Sequence, residues 1–287
     1  MNESQHPDDN HRSGGSAVVG HELLDAVRAI AEDAGVAIMT LYEQDFSVER
    51  KADSSPVTEA DLVANQLIAE QLAGLDGGWP VLTEEEEAPA WGLRREWKRY
   101  WLVDPIDGTR EFIKRNGEFS VNIALIDAGD PVLGVVLAPA FGLEYAALRG
   151  MGAWRYDDGK GYPIRVRPVA DPPTLALSRS HAGRREMQLI ETFSRPGAEA
   201  HVLRCGSSLK TCLVAEGKAD LYPRLGPTSE WDTAASQCVL EAAGGFLTDL
   251  AGQPLRYNTR ESLLNPMFVA HNGIELDFDR LHEIAAL

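Results

Sequence analysis

Residues 101–109 read WLVDPIDGT, and the interpretation of the whole chain turns on them. Trp101, Leu102 and Val103 are three bulky apolar residues behind a charged segment, as expected where a buried strand ends. Two carboxylates follow three positions apart, Asp104 and Asp107, with Pro105 between them and Gly108 behind. Proline fixes its own φ and biases the residue before it toward an extended conformation. Glycine permits a backbone path that a Cβ would hinder. The strand end therefore turns sharply and holds two acid groups close together. Carboxylates that close repel unless one is protonated or a cation lies between them. Each residue of Asp-Pro-x-Asp-Gly also favours ordinary turns, so on local grounds a plain turn and a hard-cation site are both open.

The bulk composition narrows the partners. A chain of 287 residues, 44% of them hydrophobic, can bury a large core in one domain or two. Its formal charge is −17, which argues against a general nucleic-acid or anionic-membrane surface, because both need a positive field. A small anionic substrate would instead need local positive charge from metal ions or a few placed Lys and Arg. The three cysteines, Cys205, Cys212 and Cys238, have no C-x-x-C spacing, which argues against a disulfide framework and a zinc site. They are expected to pack as small apolar groups. No apolar stretch approaches the roughly 18–20 residues of a membrane span, and no signal peptide is visible. The expectation is a soluble cytoplasmic chain, with peripheral attachment at the inner membrane and oligomeric state left open.

Residues 1–17 carry almost nothing apolar and read as a disordered tail. The three- and four-residue steps from Leu23 to Leu41 predict a helix over 21–42. Thr58 and Asp61 have the spacing of a capping box, opening a helix that stops at Gly74. Asp61 can thus be cap or ligand. Residues 79–82 predict a short strand that delivers Glu84 at its end, where ligands gather in α/β proteins. Residues 110–116 predict a short helix whose N-terminus, at Gly108 and Thr109, suits phosphate. From Phe119 the apolar runs punctuated by Gly and Pro predict an antiparallel meander. Beyond a polar joint at 157–161, strands at 174–177 and 220–222 alternate with helices at 209–216 and 232–243. The division expected is a tail at 1–17, an α+β half at 18–155 and an α/β half at 156–287, with two sheet layers and helices between them. Trp79, Trp91, Trp97, Trp101 and Trp154 are read as core or interface residues, and Trp231 as ambiguous.

The candidate acids are Asp61, Glu84, Asp104, Asp107 and Asp232, with no histidine or cysteine among them. All-oxygen sites select hard cations such as Mg²⁺, and Mn²⁺ less strictly. Two or three such ions, roughly, suit in-line displacement at phosphorus.

Three stretches carry a resemblance: Glu84-Glu85 after a strand, Asp104-Pro-Ile-Asp-Gly-Thr109, and Trp231-Asp232-Thr-Ala-Ala235. They resemble the signature motifs of the inositol-monophosphatase-like, Li⁺-sensitive metal phosphatases. The resemblance covers about residues 20–270. Within that superfamily KADSSPVTEAD, DPIDGTREFIKRNGEFSVNIALI, SRSHA, GSSLKTCLVAEGKADLYPRLGPTSEWDTAA and RESLLNPMF look like the bacterial 3′(2′),5′-bisphosphate nucleotidases. The resemblance implies a layered αβαβα sandwich. It implies that Glu84, Asp104, Asp107, Asp232 and the Ile106 carbonyl ligate Mg²⁺, that Thr109 with Glu84 activates water, and that Asp61 helps hold a third ion or its water. Glu85, Glu86 and Glu87 would lie behind Glu84 or in solvent. Substrate contacts are expected at Gly108, Thr109 and Asp232, and at Ser207, Lys210 and Arg224 for a second phosphate or the nucleoside, with His181 near the base. The implied reaction is Mg²⁺-dependent removal of the 3′-phosphate of adenosine 3′,5′-bisphosphate, with the sulfated nucleotide as a further substrate. Rival readings are an inositol or fructose bisphosphate phosphatase, and a nucleotide or metal sensor without turnover.

Overall fold

The computed structural model describes residues 19–44, 48–50, 56–179 and 183–287. The chain opens with helix α1 (His21–Tyr42), then strands β1 (Val48–Arg50) and β2 (Pro56–Thr58), helix α2 (Glu59–Ala73), strand β3 (Val81–Thr83) and the one-turn helix α3 (Trp91–Arg94). Next come β4 (Arg99–Asp107), α4 (Thr109–Ile113), β5 (Ser120–Asp127), β6 (Asp130–Ala138), β7 (Leu143–Leu148), β8 (Gly152–Asp157) and β9 (Lys160–Ile164). The remainder is β10 (Thr174–Leu177), α5 (Arg184–Phe193), β11 (His201–Arg204), α6 (Leu209–Ala215), β12 (Leu221–Arg224), a 3₁₀ turn at Glu230–Asp232, α7 (Ala234–Ala242), β13 (Phe246–Asp249), β14 (Phe268–His271) and α8 (Phe278–Ala285).

Strands β3 to β9 form one seven-stranded sheet in sequence order. Only the β3–β4 pair in it is parallel. The second sheet has the order β11-β10-β12-β14-β13. Residue parity shows why the first sheet reads as nearly continuous apolar runs. In β4 and β5, Trp101, Val103, Val121, Ile123 and Leu125 face α1 and α2, while Tyr100, Leu102, Ala124 and Ile126 face the space between the sheets. That inner space is filled by α6 and α7, and α5 and α8 cover the far side of the smaller sheet. Strands β4 to β7 are therefore buried on both faces over most of their length. The result is the layered αβαβα sandwich.

Several expected elements shift. The larger sheet takes in β9, so a division between residues 155 and 156 falls within the β8–β9 hairpin and not between the sheets. The short helix after Gly108 ends at Ile113, and the helix expected from Asp232 begins at Ala234, with Asp232 in the 3₁₀ turn before it. The tail at 1–17 lies outside the described residues. Trp101 is fully buried, and Cys212 and Cys238 are buried free thiols, as expected. Among the described residues no helix is long and apolar enough to cross a membrane.

Contact between α7 and the large sheet depends on Gly134 of β6. A Cβ there would lie 2.4 Å from the Ala235 main-chain oxygen and 2.8 Å from Cys238 Cβ. Gly134→Ala should therefore push α7 off the sheet and lower stability by about 1–3 kcal/mol, read as a shifted urea midpoint. An unchanged midpoint would mean that the layers are not packed this closely.

Candidate active site

The site begins with an irregularity in β4. Opposite β5, Asp104 pairs with Asn122 and Asp107 with Ser120, so β4 spends three steps where β5 spends two. This bulge is where Pro105 sits, and a bulge re-aims side chains at the end of a strand. Asp104 continues the parity of Tyr100 and Leu102 and so faces the inner layer. Its Oδ1 accepts the Ile106 main-chain N–H at 3.0 Å. Behind the bulge Gly108 has φ +93°, and a Cβ there would approach the Glu118 carbonyl oxygen to 3.2 Å. A glycine is needed at this point to start α4.

Three further carboxylates converge on the bulge. Glu84 follows β3, the parallel neighbour of β4, and its N–H donates to the Val103 carbonyl at 3.2 Å. Asp232 arrives on the 3₁₀ turn, oriented by the Ser229 N–H at 2.9 Å. One carboxylate oxygen each from Glu84, Asp104 and Asp232 lie within 4.8 Å of one another. Asp107 is fixed by the Ser208 N–H, which donates to its Oδ2 at 2.5 Å. Asp61 stands next to the cluster as the capping residue expected. It accepts the Thr58 N–H at 2.8 Å and the Thr58 hydroxyl at 2.6 Å, and its other oxygen lies 3.2 Å from Thr109 Oγ1. That hydroxyl is also 3.3 Å from the Ile106 carbonyl and can donate to one of the two at a time.

The electrostatics of the cluster are unfavourable as it stands. Burial raises the Asp104 carboxyl well above its ordinary value, and the charges of Glu84, Asp107, Asp232 and Asp61 add to this. Asp232 is likewise raised well above its ordinary value, by burial and then by Asp107. Asp107 is raised by burial, against which Lys210 and the Ser208 N–H work. Burial also raises Asp61, opposed by its bonds from Thr58. Asp104 Oδ2 is buried with no hydrogen-bond partner among the described residues. An oxygen-only donor set with surplus negative charge and an orphaned, inward-facing oxygen fits a hard divalent cation. Glu84, Asp104, Asp107, Asp232 and the Ile106 carbonyl are the groups that could hold one.

A cleft of about 550 Å³ brings together Glu84, Asp104, Ile106, Asp107, Gly108, Thr109, Ser207, Lys210, Arg224 and Asp232, all expected site residues. Asp61 lies behind it, reached through Thr109. His181 falls outside the described residues. Lys210 is 4% exposed, with its Nζ 2.5 Å from the Ser207 carbonyl and 5.2 Å from the centre of the Tyr222 ring. Arg224 Nη2 donates to the Pro227 carbonyl at 3.0 Å, while its buried Nε has no partner among the described residues. The start of α6 is less open than expected, since its Ser208 N–H is spent on Asp107. Sequence reasoning missed Arg179 on the cleft wall, whose guanidinium grips Glu118 with Nε at 2.7 Å from both carboxylate oxygens. The only trace of it in the sequence is one basic residue within SRSHA.

A model of the inositol monophosphatase family matches residues 20–280. The chain belongs to the inositol monophosphatase family. Members depend on a metal ion, and among the described residues the carboxylate cluster is a place that could hold one. Among curated proteins, the 3′(2′),5′-bisphosphate nucleotidase CysQ of Escherichia coli (strain K12) is 52% identical over 248 residues, covering 86% of this chain and 98% of that protein. The protein of the same name from Aggregatibacter actinomycetemcomitans is 42% identical over 257 residues, covering 89% and 94%. The crystal structure of CysQ from Bacteroides thetaiotaomicron superposes with TM-score 0.78 at 38% identity, covering 90% of this chain and 99% of that one. The Thermotoga maritima IMPase superposes with TM-score 0.77 at 25% identity, covering 93% and 99%. The two sheets and their helices are thus the family's fold.

A carboxyl raised in the folded chain binds its proton more tightly folded than unfolded. Its stabilising contribution is complete below the unfolded value and is lost as pH rises through the raised one. Without divalent ions the protein should therefore lose stability as pH rises through the range above about 4, the ordinary carboxylate value, and Asp104→Asn should remove part of that loss. Urea midpoints in chelator across this range check it. Unchanged pH dependence in the variant would show that the cluster is not strained.

Proposed function

We propose that this chain is a Mg²⁺-dependent 3′(2′),5′-bisphosphate nucleotidase that releases the 3′-phosphate of adenosine 3′,5′-bisphosphate, leaving AMP, and accepts the sulfated nucleotide as well. The observation that carries the reading is one cleft that places a carboxylate cluster beside basic residues, among them Lys210 and Arg224. A substrate with a reacting phosphate and a second, non-reacting one matches that division of charge. The name of the 52% identical relative supports the same substrate class.

In this reading Glu84, Asp104, Asp107, Asp232 and the Ile106 carbonyl hold roughly two or three Mg²⁺ ions, with Asp61 assisting at a third or its water. When bound, the ions polarise the attacking water and neutralise charge on the leaving oxygen. The chain's own groups do the rest. With its proton directed to Asp61, Thr109 Oγ1 turns a lone pair outward to accept a hydrogen from the attacking water. Glu84 takes the water's proton as the water oxygen bonds to phosphorus. The bond from phosphorus to ribose O3′ breaks on the opposite side, and the departing oxygen takes a proton from solvent. Gly108, Thr109 and Asp232 border the reacting phosphate, while Ser207, Lys210 and Arg224 hold the other phosphate. The reading places the chain in the cytoplasm; no observation speaks for the membrane attachment the sequence left open.

The test is phosphate release from the bisphosphate nucleotide, sugar bisphosphates and a simple monophosphate. Asp104→Asn and Asp107→Asn should each cost several kcal/mol of the barrier, roughly the scale expected when metal charge is lost, and abolish turnover. Lys210→Ala and Arg224→Ala should each lower kcat/KM for the nucleotide by about 1.5–3 kcal/mol, the worth of a charge-assisted hydrogen bond, and leave the monophosphate nearly unaffected. Equal losses on both substrates would place these residues in support of the metal site. A sugar bisphosphate used as well as the nucleotide would move the assignment to that substrate. Nucleotide binding without phosphate release at any Mg²⁺ concentration would make the chain a sensor.

A further inference from the structure

The cleft is charged or polar over most of its lining, but one strip of its wall is apolar. Pro227, Leu264 and the rings of Tyr222 and Phe268 contribute to it. The two rings are buried and meet edge to face, 5.7 Å apart at 89°. Leu264 differs from them, because its side chain is 56% exposed while lining the cleft.

An isolated exposed leucine is commonplace, but the backbone that presents this one is pinned on both sides. Leu264 bridges Ser229, and the bridge is flanked by the Glu230 N–H donating to the Leu263 carbonyl at 2.8 Å and the Asn265 N–H donating to the Thr228 carbonyl at 2.8 Å. Arg260 donates to the Leu264 carbonyl, and the Leu264 N–H reaches Ser262 Oγ at 3.2 Å. Asn265 Nδ2 ties the segment further, to the Ser229 carbonyl at 2.6 Å. The same Ser229 orients the Asp232 carboxylate, so the leucine is framed against the end of the cleft where the cluster lies. A bulky apolar side chain held half in water has its position fixed by the fold but its own surface uncovered.

We propose that Leu264 is a specificity-determining residue: with Pro227 it forms the apolar wall on which the heterocyclic base of the substrate packs. This rests on the nucleotide reading above and adds the base-facing surface to it. A planar base covers apolar surface without asking for hydrogen bonds, and Lys210 and Arg224 are left to the second phosphate. The wall selects for a flat, apolar-faced group on the sugar and gives nothing to a cyclitol or a bare sugar.

The experiment compares kcat/KM for adenosine 3′,5′-bisphosphate and for the matching abasic ribose 3,5-bisphosphate in wild type, Leu264→Ala and Leu264→Met. Leu264→Ala should lose about tenfold on the nucleotide, the scale of apolar groups removed from a binding pocket, mainly through KM. It should match wild type on the abasic compound, and Leu264→Met should restore most of the loss. Because the side chain is exposed, the thermal midpoint of Leu264→Ala should stay at the wild-type value. Equal losses on both compounds, or none on either, would overturn the assignment of the base to this wall while wild type still prefers the nucleotide. If wild type uses the abasic compound as well as the nucleotide, the nucleotide reading itself fails, and this proposal with it.

Discussion

Mutual repulsion among buried carboxylates is the constraint around which this structure is arranged. Glu84, Asp104 and Asp232 bring oxygens within 4.8 Å of one another, and burial and the neighbouring charges push Asp104 and Asp232 well above their ordinary proton affinities. A fold does not hold such a cluster without compensation. Three carboxylates each accept a main-chain N–H: Asp104 from Ile106, Asp107 from Ser208 and Asp232 from Ser229. Asp61 accepts one from Thr58. These bonds fix where the oxygens point but do not cancel their charge. The remaining deficit is what a divalent cation would fill, so binding the ion and completing the fold at this point are one process.

The constraint also explains how the halves of the chain meet. Asp107 belongs to the seven-stranded sheet and Ser208 to the start of α6, yet they are joined by a direct hydrogen bond. Next to it Ser208 Oγ donates to Asn122 Oδ1 at 2.8 Å and lies 2.9 Å from Ser120 Oγ. Ser120 and Asn122 are the residues that β5 places opposite Asp107 and Asp104. The polar seam is therefore continuous from the bulge across β5 to the helix that carries Lys210. The cation that would meet the non-reacting phosphate is held in register with the acids that would meet the reacting one.

Much of this was legible in the sequence because the signals were local. The apolar steps of α1, the capping box at Thr58 and Asp61, and Gly108 behind two aspartates each reflect a physical requirement within a few residues. Asp61 shows the limit of that logic, since it both caps α2 and reaches Thr109, and only the second contact bears on chemistry. What could not be read depends on contacts distant in sequence. Ser208 and Asp107 are 101 residues apart. Helix α5 buries only Leu189 of its ten residues, and β14 lies antiparallel between β12 and β13, a placement set by tertiary pairing. Leu264 is ordinary in sequence and informative only where its backbone is pinned beside the cleft.

If the acids at the β4 bulge form a divalent-cation site, Mn²⁺ should occupy it. Anomalous diffraction from crystals soaked in Mn²⁺ tests this most directly. The structure predicts peaks bounded by Glu84, Asp104, Asp107 and Asp232, with the Ile106 carbonyl among the ligands, and their loss in Asp104→Asn. Peaks elsewhere on the chain with none at the bulge, in crystals of a protein that still releases phosphate, would contradict it.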